Sequence, residues 1–205
     1  MKPFKIIFFT VLCSGLAFPL FAQQHKFTMN INYAVNTPTG SFKSDLVSKT
    51  SFRGWNANIL YQLSHQFSVG LEAGYSDYYQ KYPRDVYPTK GGMVSAVLTN
   101  SIQTVPVMIK GRFNLVPGGR VQPYIGAGVG GNFVNYNQYL GEFSGGKSGL
   151  YFAASPEAGL AIPFTKYGSS AITLGGQYNF MPFHFGENKN LNNWGLYAGI
   201  RFTLK

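Results

Sequence analysis

Hydrophobic and polar side chains alternate along the last part of the chain, residues 194–204. The even positions are apolar, whereas the odd positions are small or polar, and the even series is Trp194, Leu196, Ala198, Ile200, Phe202 and Leu204. Successive side chains of a β-strand point to opposite faces. The pattern therefore predicts a strand with one apolar face.

The same alternation recurs along the chain and predicts eight strands in all. They span residues 26–36, 54–63, 67–80, 101–113, 122–134, 150–164, 170–181 and 193–204. Strands of soluble proteins average about five or six residues, whereas a strand needs roughly 9 to 11 to cross a bilayer. A soluble β-sandwich also alternates, but segments of this length favour membrane-spanning strands.

The N-terminal segment predicts export. Lys2 and Lys5 precede the mostly apolar residues 6–21, and Ala22 supplies the small residue expected at a signal-peptidase site. The apolar stretch is shorter than the roughly 20 residues of a membrane helix, which favours cleavage over anchoring. We expect a signal peptide over residues 1–22 and one mature domain over residues 23–205.

Strands in lipid must close into a barrel, because an open sheet edge leaves backbone groups unpaired. The predicted connections alternate between short ones (64–66, 114–121, 165–169) and long, polar ones (36–53, 81–100, 135–149, 182–192). The predicted fold is therefore all-β: an eight-stranded antiparallel up-and-down transmembrane β-barrel with short periplasmic turns and longer extracellular loops.

Aromatic side chains fall near both predicted rims, as expected of rings that anchor at membrane interfaces. One predicted girdle comprises Tyr33, Tyr75, Tyr79 and Trp194, and the other comprises Phe67, Phe113, Phe164 and Phe202.

Cysteine content and charge exclude several functions. Cys13 lies in the predicted signal peptide, so the mature chain has no cysteine for disulfides, thiol nucleophiles or zinc-cysteine sites. Removing Lys2 and Lys5 from the 17 basic residues leaves 15 against 7 acidic ones, a charge of +8. The basic residues are dispersed, so we expect no nucleic-acid partner and favour lipid phosphates instead.

The alternation sends five charged residues into the barrel: Glu72, Lys110, Arg112, Glu157 and Arg201. The interior of an eight-stranded barrel accommodates side chains and little else, and an unpaired buried ion costs several kcal/mol. We therefore expect an ion-pair network that plugs the lumen, with a gated conductance path as the alternative. The inward glycines Gly126, Gly128 and Gly130 are expected to leave space for Tyr124, Tyr151 or the Arg112 guanidinium.

A catalytic alternative depends on His184, which lies near Glu187 at the predicted extracellular rim. A serine nucleophile would have to approach from Ser148 or Ser155 on the neighbouring strand. The other histidines, His25 and His65, are expected to be solvated. We expect no catalytic site, no cofactor and no metal site, and keep an outer-leaflet lipid A-modifying enzyme as an alternative.

Three short motifs stand out along the chain: Pro123-Tyr124-Ile125-Gly126-Ala127-Gly128-Val129-Gly130, Val105-Pro106-Val107, and Ile31-Asn32-Tyr33 followed by Pro38-Thr39-Gly40-Ser41-Phe42. Together they resemble the outer-membrane β-barrel domain family, which includes OmpA-like transmembrane domains and the PorT-like proteins of Bacteroidetes. The resemblance covers essentially the whole mature chain. It implies a multi-pass protein of the cell outer membrane of a Gram-negative bacterium, with a structural or interaction role; a small ion or solute pore is the alternative.

The C-terminus is similar to the signal that the barrel-assembly machinery recognises in this family, which implies that machinery as a partner during biogenesis. The matching positions are Tyr197, Gly199, Phe202 and Leu204.

The long connections carry basic residues that are suited to bridging lipopolysaccharide phosphates. A stretch rich in Tyr and Arg is also suited to a protein partner, because both are enriched at binding hot spots. The predicted contacts are Tyr79, Lys81, Tyr82 and Arg84. Simple solvation of these side chains is the alternative.

Overall fold

The computed structural model describes residues 27–89, 92–164, 170–185 and 188–204. The predicted signal peptide, residues 1–22, lies outside this range. The described chain forms ten strands and one π-helical turn, Phe42–Leu46. The strands are β1 (Phe27–Pro38), β2 (Ser51–Gln62), β3 (Phe67–Thr89), β4 (Gly92–Asn114), β5 (Gln122–Leu140), β6 (Phe143–Pro163), β7 (Ser170–Asn179), β8 (Pro182–Phe185), β9 (Asn188–Asn190) and β10 (Asn193–Leu204).

Eight of these strands close into an antiparallel barrel in the order β1-β10-β7-β6-β5-β4-β3-β2. The barrel closes because β1 pairs with β2 on one side and with β10 on the other. Strands β8 and β9 form a separate hairpin inserted between β7 and β10. The predicted eight-stranded up-and-down barrel is confirmed.

Burial along the strands is the inverse of that in a soluble protein. Leu71 is 62% exposed, whereas its neighbour Glu72 is 3% exposed. Cross-strand pairing aligns Leu71 with Ile59 and Ile109, so apolar side chains form a continuous outer surface. Such a surface is stable only in an apolar solvent, which is why the alternation carries the information about the membrane. Within the described residues, no helix is long and apolar enough to cross a membrane.

The two ends of the barrel differ. The short turns at residues 63–66 and 115–121 lie at the end where the described chain begins and finishes, termed here the turn end; the opposite end is termed the loop end. The Phe girdle surrounds the turn end, and exposed Tyr33, Tyr79 and Trp194 lie toward the loop end, with half-buried Tyr75.

Strands β3 to β6 extend six to nine residues further toward the loop end than the alternation predicts. Strands β3 and β4 each have 23 residues, whereas β1 and β2 each have 12. Most of the predicted connections 81–100 and 135–149 are therefore strand. The four long strands form a sheet, the loop-end extension, that rises above the rest of the rim.

Candidate functional site in the barrel lumen

Four charged side chains meet inside the barrel. Lys110 Nζ lies 2.8 Å from Glu157 Oε2 and also contacts Glu72 Oε2, while Arg112 Nη2 lies 3.4 Å from Glu157 Oε1. Each of these side chains is at most 3% exposed. The structure thus brings four of the five predicted residues into one ion-pair cluster, in which Lys110 is held between two carboxylates.

Arg201 does not join this cluster and makes no ion pair among the residues that the structure describes, so its predicted place in the network is wrong. Its Nη2 donates a hydrogen bond to the neutral Gln122 Oε1 at 2.8 Å. The strand register explains the difference, because Glu157 pairs with Gln177 and Gln177 with Gly195. Arg201 lies six residues further along β10, toward the turn end.

Two tyrosines complete the cluster. The Tyr197 hydroxyl donates to Glu157 Oε2 at 2.8 Å and lies 2.9 Å from the Tyr124 hydroxyl. The Tyr124 ring lies 4.1 Å from Arg112 Cζ, within the range of a cation–π contact. This role of Tyr197 was not predicted, although its position on the polar, inward face of the last strand indicates that its hydroxyl needs a partner inside the barrel.

The inward glycines Gly126 and Gly128 leave space for neighbouring side chains of the lumen. Gly126 pairs with Arg112 on one side and with Glu157 on the other. A Cβ at Gly126 would lie 2.9 Å from Glu157 Oε1, and one at Gly128 would lie 3.3 Å from Met108 Sδ. The nearest side-chain atoms at these two glycines are thus those of Glu157 and Met108, and the Arg112 guanidinium meets Glu157 over Gly126.

Amide side chains continue the polar lumen around the wall. Asn30 donates to Asn58 at 2.6 Å, and Asn58 donates to Glu72 Oε2 at 3.3 Å. One step toward the loop end, Asn32 donates to Asn56 at 2.7 Å. These residues lie on the predicted polar faces of β1 and β2, but their pairing requires the strand register, which the sequence alone does not provide.

An apolar cluster occupies part of the loop-end half of the lumen, beside buried amides such as Asn100 and Asn132. Six buried side chains from the segments between β1 and β2 and between β7 and β10 belong to it, and we term them the loop-end plug: Phe42, Leu46, Val47, Met181, Phe183 and Leu191. The Phe42 ring centroid lies 4.9 Å from that of Tyr78, and the Phe183 centroid lies 5.0 Å from that of Tyr151. The prediction that the connections 36–53 and 182–192 are polar outward loops is therefore wrong for five of these residues, and Met181, predicted at the end of the strand 170–181, lies outside β7.

The predicted contact residues lie on strand β3 in the loop-end extension. Tyr79, Lys81 and Arg84 are exposed. Tyr82 is half-buried, and its hydroxyl donates to the Leu46 carbonyl at 3.3 Å. Burial is the largest cause that raises the pKa of Tyr82, and the electrostatic effect of Tyr87 and Asp45 raises it further. The hydroxyl therefore stays protonated and can act as a donor. Three of the four residues are thus accessible, and Tyr82 instead supports the plug.

Within the described ranges, the two candidate serines form hydrogen bonds with residues other than His184. The Ser148 hydroxyl donates to Asn135 at 3.0 Å and the Ser155 hydroxyl to Asn179 at 2.8 Å. The His184 side chain is exposed, and its carbonyl accepts from Lys147 Nζ at 2.8 Å. Glu187 and His25 lie outside the described residues. In the part of the chain that the structure describes, no three His, Cys, Asp or Glu side chains group as metal ligands.

The predicted assembly motif occupies both faces of β10. Tyr197 and Gly199 face the lumen, whereas Phe202 and Leu204 are exposed on the outer surface. Recognition of this motif by the assembly machinery stays a prediction.

The comparisons with known proteins agree with this architecture. A family described as "Outer membrane protein beta-barrel domain" matches residues 8–202. The fold is similar to that of OprG from Pseudomonas aeruginosa (TM-score 0.58, 14% identity, covering 88% of this chain and 96% of that one). It is also similar to Neisserial surface protein A (TM-score 0.54, 14% identity, covering 89% and 98%). No curated protein sequence matches the chain.

Proposed function

The chain belongs to the outer membrane protein β-barrel domain family, and from that premise we propose that it is a non-enzymatic barrel with a closed lumen and an interaction role outside the cell. The turn end then faces the periplasm and the loop end faces the exterior. The observation that carries the proposal is Lys110, which is held between Glu72 and Glu157 across the lumen.

Closure is supported by two successive layers of side chains. An ion moving through the polar layer would have to displace a buried ion pair, and leaving one partner uncompensated costs about 3–5 kcal/mol. Beyond that layer, the six side chains of the loop-end plug would have to leave their contacts as well. A passing ion would therefore meet an electrostatic barrier followed by an apolar one.

Single-channel recording in planar lipid bilayers tests the closed lumen. We expect no steady unit conductance from the wild-type barrel, and the same from Lys43→Gln, which neutralises an exposed loop-end lysine. Wild-type conductance of constant size that changes in Lys110→Gln but not in Lys43→Gln would contradict closure and support the small-pore alternative.

The interaction role is supported by the loop-end extension, where cationic side chains lie outside the cell. Exposed Lys81 and Arg84 stand on β3 beside the exposed Tyr79 ring. Cationic side chains in the loop-end extension are suited to binding lipopolysaccharide phosphates, and the combination of Tyr and Arg is suited to binding a protein partner. We propose both as contacts of this surface, with the barrel-assembly machinery as the partner during biogenesis.

Lipopolysaccharide that copurifies with the barrel measures the first contact. We expect less of it with the double variant K81Q/R84Q than with wild type, while Arg120→Gln, in the turn between β4 and β5, leaves it unchanged. Equal amounts bound to all three proteins would contradict a role for these two cations.

A further inference from the structure

We infer that the periplasmic mouth of the barrel holds a binding site for a phosphate group. A cavity of about 210 Å³ opens there, on the turn-end side of the ion-pair cluster. Arg112 and Arg201 line it from two different strands, and Gln122 and His65 line it as well. A polar cavity of this size accommodates several water molecules or one small oxyanion.

Arg112 lines this cavity, and its guanidinium is incompletely hydrogen-bonded by the protein. Its Nη1 and Nη2 make long contacts with Asn30 Oδ1 at 3.5 Å and Glu157 Oε1 at 3.4 Å. Its Nε is buried and has no hydrogen-bond partner among the described residues. Because a buried donor without an acceptor is costly, the guanidinium of Arg112 is incompletely compensated by its protein neighbours, and an anion in the cavity would compensate part of its charge.

The charges of the lumen also favour an anion. Three cationic and two anionic side chains face inward, so the five charged residues carry a net charge of +1. Lys110 and Arg112 share the two carboxylates, whereas Arg201 has the neutral Gln122 as its hydrogen-bond partner and no carboxylate partner within the described part of the chain. The unbalanced charge therefore lies at the cavity, where an oxyanion both neutralises it and fits the planar donor geometry of a guanidinium.

Binding of inorganic phosphate to the purified barrel tests the site, using an uncharged maltoside detergent and chloride buffer with isothermal titration calorimetry. We expect saturable binding of one phosphate per barrel. Arg201→Gln should weaken binding about tenfold or more, because it removes one charge-assisted contact. Arg120→Gln is the matched control, since it removes an exposed positive charge at the same end of the barrel without lining the cavity.

Two further variants and a folding check keep the result interpretable. Arg201→Lys retains the charge but not the planar donor pair, so its affinity should lie between those of wild type and Arg201→Gln. Heat-modifiable gel migration should show that each variant is folded. Equal affinity in Arg201→Gln and Arg120→Gln, or no saturable binding by folded wild type, would overturn the inference.

The phosphate group has two sources at this position: free phosphate in the periplasm, and the headgroups of the adjacent leaflet. Short-chain phosphatidylglycerol, titrated in the same detergent, separates them. If the source is a headgroup, this lipid binds more tightly than inorganic phosphate, and Arg201→Gln weakens it. If the source is free phosphate, only the inorganic ion binds. Failure of both probes would overturn the site, whereas the closed lumen is tested separately by conductance.

Discussion

Arg112 and Glu157 form an ion pair although their strands are not neighbours. Arg112 lies on β4 and Glu157 on β6, and their side chains meet over Gly126 on the intervening strand β5. All three residues occupy one cross-strand row. The absence of a side chain at the middle position therefore allows two long side chains to meet inside a narrow barrel.

Gly126→Ala is expected to destabilise the barrel by about 1–3 kcal/mol, the usual cost of overpacking. The new Cβ would lie 2.9 Å from Glu157 Oε1 and 2.9 Å from the Gly111 carbonyl oxygen, and the backbone atom cannot move aside cheaply. Urea unfolding in lipid vesicles measures the change. Gly145→Ala is the control, because its Cβ would meet nothing within 4 Å; equal losses in both variants would contradict the packing argument.

Lys110→Met is expected to cost about 3–5 kcal/mol, because it leaves Glu72 and Glu157 buried together without the lysine. Replacing Glu72 by Gln in the same chain should recover part of the loss, since one uncompensated charge is removed. The same unfolding measurement applies.

The exposed pair Arg53–Asp77 provides the comparison for Lys110. The Arg53 side chain is 71% exposed, so Arg53→Ala should change stability by no more than about 1 kcal/mol. A Lys110→Met variant as stable as Arg53→Ala would show that the lumen cluster does not stabilise the fold.

Phe183→Ala is expected to loosen the loop-end plug while the barrel itself stays folded. A Phe to Ala change in a packed core costs about 3–5 kcal/mol, and Phe183 contacts Tyr151 and Tyr136. Amide hydrogen exchange should become faster in residues 39–50 and 181–192 but not at the turn end. Phe143→Ala removes an exposed ring instead and should leave both connections protected.

Phe202→Ala is expected to lower the fraction of protein that reaches the outer membrane, if the C-terminal motif is recognised during assembly. Phe67→Ala is the matched control, since Phe67 has similar exposure (41% against 39%) at the same end of the barrel but lies outside the motif. Fractionation of cells that express each variant measures the effect. An equal decrease of the outer-membrane fraction in both variants would indicate weaker anchoring in lipid and would contradict recognition of the motif.

The membrane part of the fold was predictable because lipid outside and polar groups inside impose opposite environments on alternate residues. That contrast fades in the loop-end extension. Around Lys147 in β6, successive residues are exposed on both faces, so no period of two marks the strand. The alternation therefore predicts all eight barrel strands, but it ends β3 and β5 too early and begins β4 and β6 too late.

The candidate site was predictable in four of its charged members, but neither in its two tyrosines nor in its pairing. Alternation alone placed Glu72, Lys110, Arg112 and Glu157 inside the barrel. Which of them touch depends on register, and register also decides that Arg201 lies beside Gln122. The plug was missed for a different reason: Phe42 lies in a single π-helical turn and Phe183 in a four-residue strand, and elements this short show no periodic pattern that distinguishes an inward side chain from an outward one.

The unequal strand lengths make the outer rim asymmetric. Strand β3 has 11 residues more than β1 (23 against 12), which corresponds to about 36 Å along the strand direction. The outer rim is therefore high at β3 to β6 and low at β1, β2, β7 and β10. A large molecule that moves along the membrane surface would therefore contact the long strands from one direction and pass over the short strands from the other.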